Sequence, residues 1–596
     1  MFLITTADQH FWKSEEKVLF LGEWCKPFKL QDYWIKLDHE VVRYHWNDRG
    51  KLYNDCLHLE RVHEKYLHLL TERLNAVHGE AHSSRYWQII IGPWLYYFIP
   101  ILYDRYLSLR EASKDYVIKN TWIADIDVWK LTPKDIVTFN RYYLRDYYNH
   151  FLYSEIIKLL KLVPYEVISY DIDTPIKNEE REISSIVGSD INSEVLFSRR
   201  ALKSILKRLL QKLSAIRNPK FVFVSTYFTS KNQWKLEIAL RQSPTMFNTN
   251  WSFNYAVNPA QRKVLTMNEG KDEFERVLET LIPYQMPVSY VENYKKILDT
   301  AYTTLPKKCK VIYTENGYIH MDGFKCWVAD QIEKGAKLVI GQQGGLHGIG
   351  LWFWIENQLS KIADHVISWG WTDPADSKIQ PLPASRLIHK NPACRPKNQG
   401  YILWVLMGLP RYFYSLLSLP VASQYSDYIE EQIRLAKTVN PSVRKLLLLR
   451  HYKFDFGWGE VGQIRKLNLG IQDSIMEESL EEQLSKSRLF IGTYNGTTFI
   501  EAFSADVPTI LFWNPYHSEL KPSAQPYFEE LRMAGIFHDT PESAAQKVNE
   551  IFNNPDAWWQ TEKVQRAKRN FCEQFAKVSP DWKKEWKVKF SQIIKN

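Results

Sequence analysis

The sequence predicts an α/β protein of two doubly wound parallel-sheet domains facing a central cleft, with helical insertions in the amino-terminal half. Three observations predict it. At 596 residues the chain exceeds what a single core usually serves. From about residue 308 short apolar strands alternate with helix-length stretches, the signature of a parallel sheet covered on both faces. A stretch rich in Pro, Lys and Ser, 372–399, separates two such alternations.

The elements follow in order. Two short apolar strands open the chain, at 2–7 and 18–22. Apolar positions at three- and four-residue steps then predict helices over 55–78 and 146–162. Residues 220–225 read as a buried strand, with a helix at 234–241. The first regular alternation places strands at 310–314, 337–342 and 365–371, with helices at 323–333 and 352–361. The second places strands at 401–407, 445–450, 489–494 and 509–513, with helices at 426–438, 473–485 and 498–503, and further helices at 525–534 and 541–552. The expected boundaries are a first domain at 1–385, a linker at 386–400, a second domain at 401–560 and a basic terminal helix at 561–596.

Composition narrows the class. The hydrophobic share of 45% and charged share of 24% are those of a folded globular protein. The chain carries 22 Trp, 34 Tyr and 29 Phe, flat faces that suit sugars and also fill large cores. Its net charge of +9 is concentrated late, where basic residues interleave with Trp582 and Trp586. Such a tail fits an anionic membrane surface or, more simply, a solvated helix whose Trp residues pack on the domain beneath. The cysteines, Cys25, Cys56, Cys309, Cys326, Cys394 and Cys572, are scattered, which indicates neither a disulfide framework nor a zinc site. The start lacks a signal-peptide profile. The longest apolar run, 89–102, spans 14 residues and is broken by Pro93 and Pro100, whereas a membrane span needs roughly 20. A cytoplasmic protein is expected.

In doubly wound sheets ligands bind beyond the carboxyl ends of strands. At 492–513 a strand ends at Tyr494, Asn495 and Gly496 make a tight turn, and Thr497 and Thr498 begin a helix. A helix start favours phosphate through unpaired N–H groups and the dipole, and Glu501 is one turn in, placed for ribose hydroxyls. Thr498 and Glu501 equally fit a T-x-x-E capping box that needs no ligand, and the residues alone leave both readings open. At 341–350 five glycines in ten residues surround Gln342, Gln343, Gly344, Gly345 and His347, more than a turn requires. The loop after the strand at 310–314 carries Glu315, His320 and Asp322, candidates for the base or nucleophile that transfer to a hydroxyl needs. Arg450 and Lys453 supply cations at another strand end. Gly457, Gly459 and Gly462 match GxGxxG, but with no clear helix after them they are not read as a dinucleotide fingerprint. Two D-x-D triplets, Asp125/Asp127 and Asp171/Asp173, raise a metal-dependent alternative and are discounted because neither ends a convincing strand. No P-loop, HExxH or GxSxG is present.

The blocks "TTADQHFWK" with "LGEW", "GQQGG" with "ADHVISWGW", and "YNGTTFIEAFSADVPTILFWNP" resemble a family of transferases from bacterial surface-polysaccharide loci. The later blocks are similar in layout to capsule Kdo transferases and CDP-glycerol glycerophosphotransferases. The resemblance implies the GT-B fold, two Rossmann-like domains, with the nucleotide of an activated donor in the carboxy-terminal domain and the acceptor on the amino-terminal one. Carried onto this chain, the donor set is Arg450, Lys453, Tyr494, Asn495, Gly496, Thr497, Thr498 and Glu501. The cleft set is Gln342, Gln343, Gly344, Gly345 and His320. The family usually shows Gln-His-Gly-Gly at the glycine turn. Gln343 stands in place of that histidine, which shifts the catalytic expectation to Glu315, Asp322 and His347.

The resemblance further implies a glycosyltransferase with a CMP-activated nonulosonic acid donor (pseudaminic, legionaminic or Kdo-like), retention favoured slightly over inversion. No metal and no cofactor beyond the nucleotide sugar are expected. The expected acceptor is a glycan or lipid-linked glycan of capsule or lipopolysaccharide type, with peripheral contact at the inner membrane face and no nucleic-acid partner. A CDP-glycerol-type polyol-phosphate transferase and a non-catalytic glycan-binding assembly protein are the alternatives.

Overall fold

The computed structural model describes residues 1–189, 210–249, 251, 253–388, 398–474 and 477–595. Its framework is three parallel sheets. The first orders its strands β3-β2-β1-β4-β5, from β1 (Phe2–Ile4), β2 (Val18–Phe20), β3 (His39–Val41), β4 (Asn120–Asp125) and β5 (Glu166–Ser169). The second runs β10-β9-β8-β7-β6, from β6 (Phe221–Phe223), β7 (Val311–Thr314), β8 (Lys337–Gly341), β9 (His365–Ser368) and β10 (Ile379–Pro381). The third has the order β13-β12-β11-β14-β15-β16, from β11 (Tyr401–Val405), β12 (Leu447–Arg450), β13 (Gln472–Asp473), β14 (Ser487–Gly492), β15 (Thr509–Phe512) and β16 (Phe537–His538). The order in the third is that of a dinucleotide-type sheet, whose strand order reverses between β11 and β14.

The second and third sheets are the two alternations read in the sequence, and the loops after β8 and β14 meet, Gly345 N–H donating to Thr497 Oγ1. The first sheet is an addition. Only its first two strands stand out as apolar runs. β3 and β5 are half-exposed edge strands with charged members, His39, Glu40 and Glu166, and the pattern rule for buried parallel strands passes over them.

Between β3 and β4 runs a helical hairpin. Helix Arg49–His78 starts on Asp48, whose carboxylate accepts from Lys51 N–H, and stops at Gly79 with φ +66°. Helix Ser84–Asp115 continues through both Pro93 and Pro100, and every residue from Tyr86 to Leu102 is buried. It is apolar all round because protein surrounds it, packed by helices Arg49–His78, Asp322–Glu333 and Trp354–Ile362. No helix among the described residues is long and apolar enough to cross a membrane.

The basic tail divides. Helix Glu562–Phe575 seats Phe571 against Phe499, Phe503 and Phe528 of the third-sheet domain. Helix Trp582–Ile593 crosses back to the second sheet. There Phe590 stacks on Phe223, Trp586 meets Tyr313 and Phe228 edge-on, and Trp586 Nε1 donates to the Pro383 carbonyl at 3.0 Å. The Trp residues of the tail are therefore core anchors, with the lysines left on the solvated side. The stretch read as a linker also has structure: it holds β10 and, just beyond, Ser385 and Arg386. Cys394 lies outside the described residues.

Candidate functional site

The carboxyl edges of all three sheets converge on the third. From the second sheet, Gly345 N–H donates to Thr497 Oγ1 at 3.0 Å. A Cβ on Gly345 would lie 2.7 Å from Ile500 Cδ1 and 2.9 Å from the Gly496 backbone. The two glycine turns singled out in the sequence thus touch, and only a residue without a side chain allows that approach. From the first sheet, Phe28 N–H donates to Gly457 O at 2.9 Å, and Arg411 pairs with Asp146 at 2.9 Å.

The turn after β14 opens helix Thr497–Ser504, whose N-cap is Gly496, with no side-chain capping bond. The T-x-x-E capping box is not formed. Thr497 reaches across to the glycine turn, and Glu501 is turned to Arg386, Nε to Oε1 at 2.6 Å. Asn495 is 1% exposed, and neither its amide oxygen nor its nitrogen has a hydrogen-bond partner among the described residues. On the facing turn, Gln343 Oε1 is in the same state. A buried amide left unsatisfied costs about 1–3 kcal/mol, so a ligand that bonds Asn495 would be favoured by that much. Tyr494, partly buried, borders the same turn beside Glu501 and Arg450.

Behind Arg386 lies Glu315. Its carboxylate accepts from Ser385 Oγ and from the Tyr227 backbone N–H. The Arg386 guanidinium lies 4.9 Å over the Tyr227 ring, and the Tyr227 hydroxyl accepts from Asn316 Nδ2 at 2.9 Å. Burial pushes the Glu315 carboxyl up to about 7 despite these donors and nearby Arg386. Ser225, which precedes Tyr227, holds φ +54° and accepts from the Glu315 and Asn316 amides. Strained backbone of this kind collects at functional sites. Arg386 and Tyr227 were missed in the sequence, since nothing local marks either one.

All three residues expected to be catalytic are buried. Glu315, at 1% exposure, does not open to the cleft and instead supports the segment carrying Arg386. Asp322 is saturated: Ser289 Oγ (2.7 Å), Tyr290 hydroxyl (3.0 Å), Ile136 N–H (3.1 Å) and Lys325 Nζ (2.8 Å) all bond it. It ties the second sheet's helix to helix Ile136–Tyr142. His347 is buried edge-on to Phe353, and burial pushes it down to about 3, so it is a neutral core imidazole. His320 is exposed, and its ring pairs with Asn140 at 3.2 Å.

Of the cleft set, Gln342 is structural. It accepts from Trp369 N–H (2.9 Å) and Trp371 Nε1 (2.8 Å) and donates to Gly344 O (2.8 Å). Of the cations, Arg450 is half-buried and committed to Glu478 O (3.0 Å) and Gln483 Oε1 (2.7 Å). Lys453 is exposed beside Tyr452 and Phe454, themselves about half exposed.

Two sequence arguments need correction. A helix, Glu460–Lys466, does follow the GxGxxG match. The glycines there make room for the Phe28 ring, which a Cβ on Gly459 or Gly462 would overlap, so the rejection of a dinucleotide site stands on a different ground. Asp125 ends β4, and Asp171 follows β5, so both D-x-D triplets do lie at strand ends. Asp127 caps the next turn through Trp129 N–H, and Asp173 pairs with Lys130 at 2.8 Å. No cluster of three His, Cys, Asp or Glu residues able to hold a metal occurs among the described residues.

The first sheet adds a crevice of about 480 Å³ beyond β1 and β5, where Asp8 accepts from the Tyr170 hydroxyl at 2.7 Å and Asp146 forms the rim.

The model of the LIC12162 family transferases matches residues 1–590. The chain belongs to that family. No curated protein matches this transferase. Among solved structures, a GtfA/B complex is similar at a TM-score of 0.31 and 10% identity, over 52% of this chain and 61% of that one. MurG of Acinetobacter baumannii is similar at 0.30 and 14%, over 63% and 100%. The transferase thus spans about three-fifths of the length of the first of these.

Proposed function

We propose that this transferase is a glycosyltransferase that holds the nucleotide of an activated sugar at the start of helix Thr497–Ser504. One observation carries the reading. At the strand-order reversal of a dinucleotide-type sheet, an uncapped helix start adjoins the buried, unsatisfied amide of Asn495. Glu501, held by Arg386, lies one turn in for the ribose hydroxyls. Arg386, partly exposed and paired with Glu501, is the cation this reading assigns to the leaving phosphate. With a helix dipole and an arginine available, the reading calls for no metal.

The donor we propose is a CMP-activated nonulosonic acid, supported by the sequence resemblance to Kdo-type transferases. The acceptor is a surface glycan, read onto the first-sheet crevice. There Asp8 lies just beyond β1, and Tyr147 and Tyr170 line the crevice with aromatic side chains of the kind that suit a sugar.

A thermal-shift series with CMP, CDP, UDP and GDP, with and without magnesium, tests this. CMP should raise the melting temperature most, with magnesium adding nothing. Preferential stabilisation by UDP or GDP would overturn the donor, and a flat response to all four would overturn the nucleotide site.

A further inference from the structure

A second cavity lies apart from the nucleotide site. It occupies about 190 Å³ between the helical hairpin and the chain entering helix Trp354–Ile362. One part of its wall is aliphatic and aromatic, with Leu59, Leu95, Ile99, Pro100, Tyr96 and Trp352, and the rest carries Glu60, Glu356, Asn357 and Lys521. Leu95 and Ile99 are fully buried, whereas Tyr53 and Leu57, on the same wall, are 39% and 51% exposed and mark its mouth.

Two polar groups in this lining are unsatisfied. Trp352 is 8% exposed, and its indole N–H has no acceptor among the described residues. The opposite wall holds His63, stacked 3.7 Å from Tyr96. It is kept neutral by burial, which pushes it down to about 3, and neither ring nitrogen makes a hydrogen bond of normal geometry. Native interiors rarely leave such donors without a partner. Arg49 lies 5.2 Å over the Trp352 ring and fixes the indole in place. The sequence between this wall and the nucleotide site is short: Leu351–Trp354 continues the glycine turn, and Glu356 accepts from Gly348 N–H at 2.5 Å.

We propose that this cavity binds the aliphatic chain of a lipid, with an oxygen at the chain's polar end accepting the Trp352 N–H. The aliphatic and aromatic part of the wall receives the chain, and the unsatisfied donor selects an alcohol, ester or carboxyl oxygen over a plain hydrocarbon. It deepens the proposed function by seating the lipid part of a lipid-linked acceptor. It rests on that reading only for what the lipid carries.

The test is calorimetric titration of the full chain with dodecanoate and, separately, farnesol. The two arms distinguish an acyl from an isoprenoid chain. Trp352→Phe keeps the ring and removes the donor. Leu57→Glu places a charge at an exposed position on the mouth, where folding is not at stake. The wild type should bind at least one probe, and each variant should bind it about 10-fold more weakly, with circular dichroism unchanged. Absence of heat with both probes, or equal affinity in all three proteins, overturns the proposal. Because the titration contains no nucleotide, its failure leaves the nucleotide reading to its own thermal-shift test.

Discussion

Arg386 and Glu501, 115 positions apart, form a 2.6 Å ion pair that joins the segment after β10 to the helix opening the third sheet's switch point. Glu501 is 3% exposed, so Arg386→Ala takes a counter-charge away from a buried carboxylate. The expected loss is about 1–3 kcal/mol of stability, read as a lower denaturation midpoint. Glu501→Ala should weaken CMP binding, measured by calorimetry, by more than its own stability loss explains. If the midpoint falls and nucleotide affinity is untouched, the pair is an interdomain strut and nothing more.

Contact between the glycine turns gives a second expectation. Gly345→Ala places a methyl 2.9 Å from the Gly496 backbone, which cannot give way as a side-chain end would. The turns must separate, and Thr497 loses its bond from Gly345. Donor affinity should fall about 10-fold or more while the melting temperature drops by a few degrees. Wild-type affinity in this variant would show that the nucleotide does not use the junction.

These two sites differ in how far they were legible. The glycine turns were visible because a strand end followed by clustered Gly is a local pattern. Arg386 was hidden because its meaning lies in a partner on another sheet, and its own neighbourhood reads as linker. Four strands of the third sheet were read because they form apolar runs, β11, β14 and β15 being buried almost throughout, whereas the two-residue edge strands β13 and β16 were not. β5 escaped because half of Glu166–Ser169 is polar and exposed. His347 was misjudged for a related reason: a histidine in a glycine-rich loop reads as exposed, and only the packing of Phe353 and helix Trp354–Ile362 buries it.

Asp322 is expected to govern stability and leave chemistry alone. It accepts three hydrogen bonds and pairs with buried Lys325. Asp322→Ala leaves that ammonium without its counter-charge, at a cost of about 3–5 kcal/mol. Turnover per folded molecule should stay within a few-fold of wild type in a transfer assay at low temperature. A collapse of turnover with an unchanged melting temperature would restore Asp322 to the catalytic list.

The last expectation concerns pH. An ordinary glutamate ionises near 4.5, and Glu315 in the folded chain near 7, because burial disfavours its charged form. Between those values the folded protein binds more protons than the unfolded one. This carboxyl therefore erodes stability as pH rises through the window, and adds no further slope above it. A shift of this size corresponds to roughly 2–4 kcal/mol. Glu237, Glu431 and Glu460 are also pushed up to about 7 and contribute the same sign, so the wild-type slope alone assigns nothing. Glu315→Gln isolates the term. The amide oxygen still accepts from the Tyr227 N–H, and no charge is left to bury. Denaturation midpoints of the two proteins should lie close at pH 4.5 and diverge by pH 7.5, with the variant the more stable. Parallel curves would mean that Glu315 ionises normally. A variant that loses transfer while gaining stability would show that the buried carboxylate is retained for function, as the anchor that sets Ser385 and Arg386.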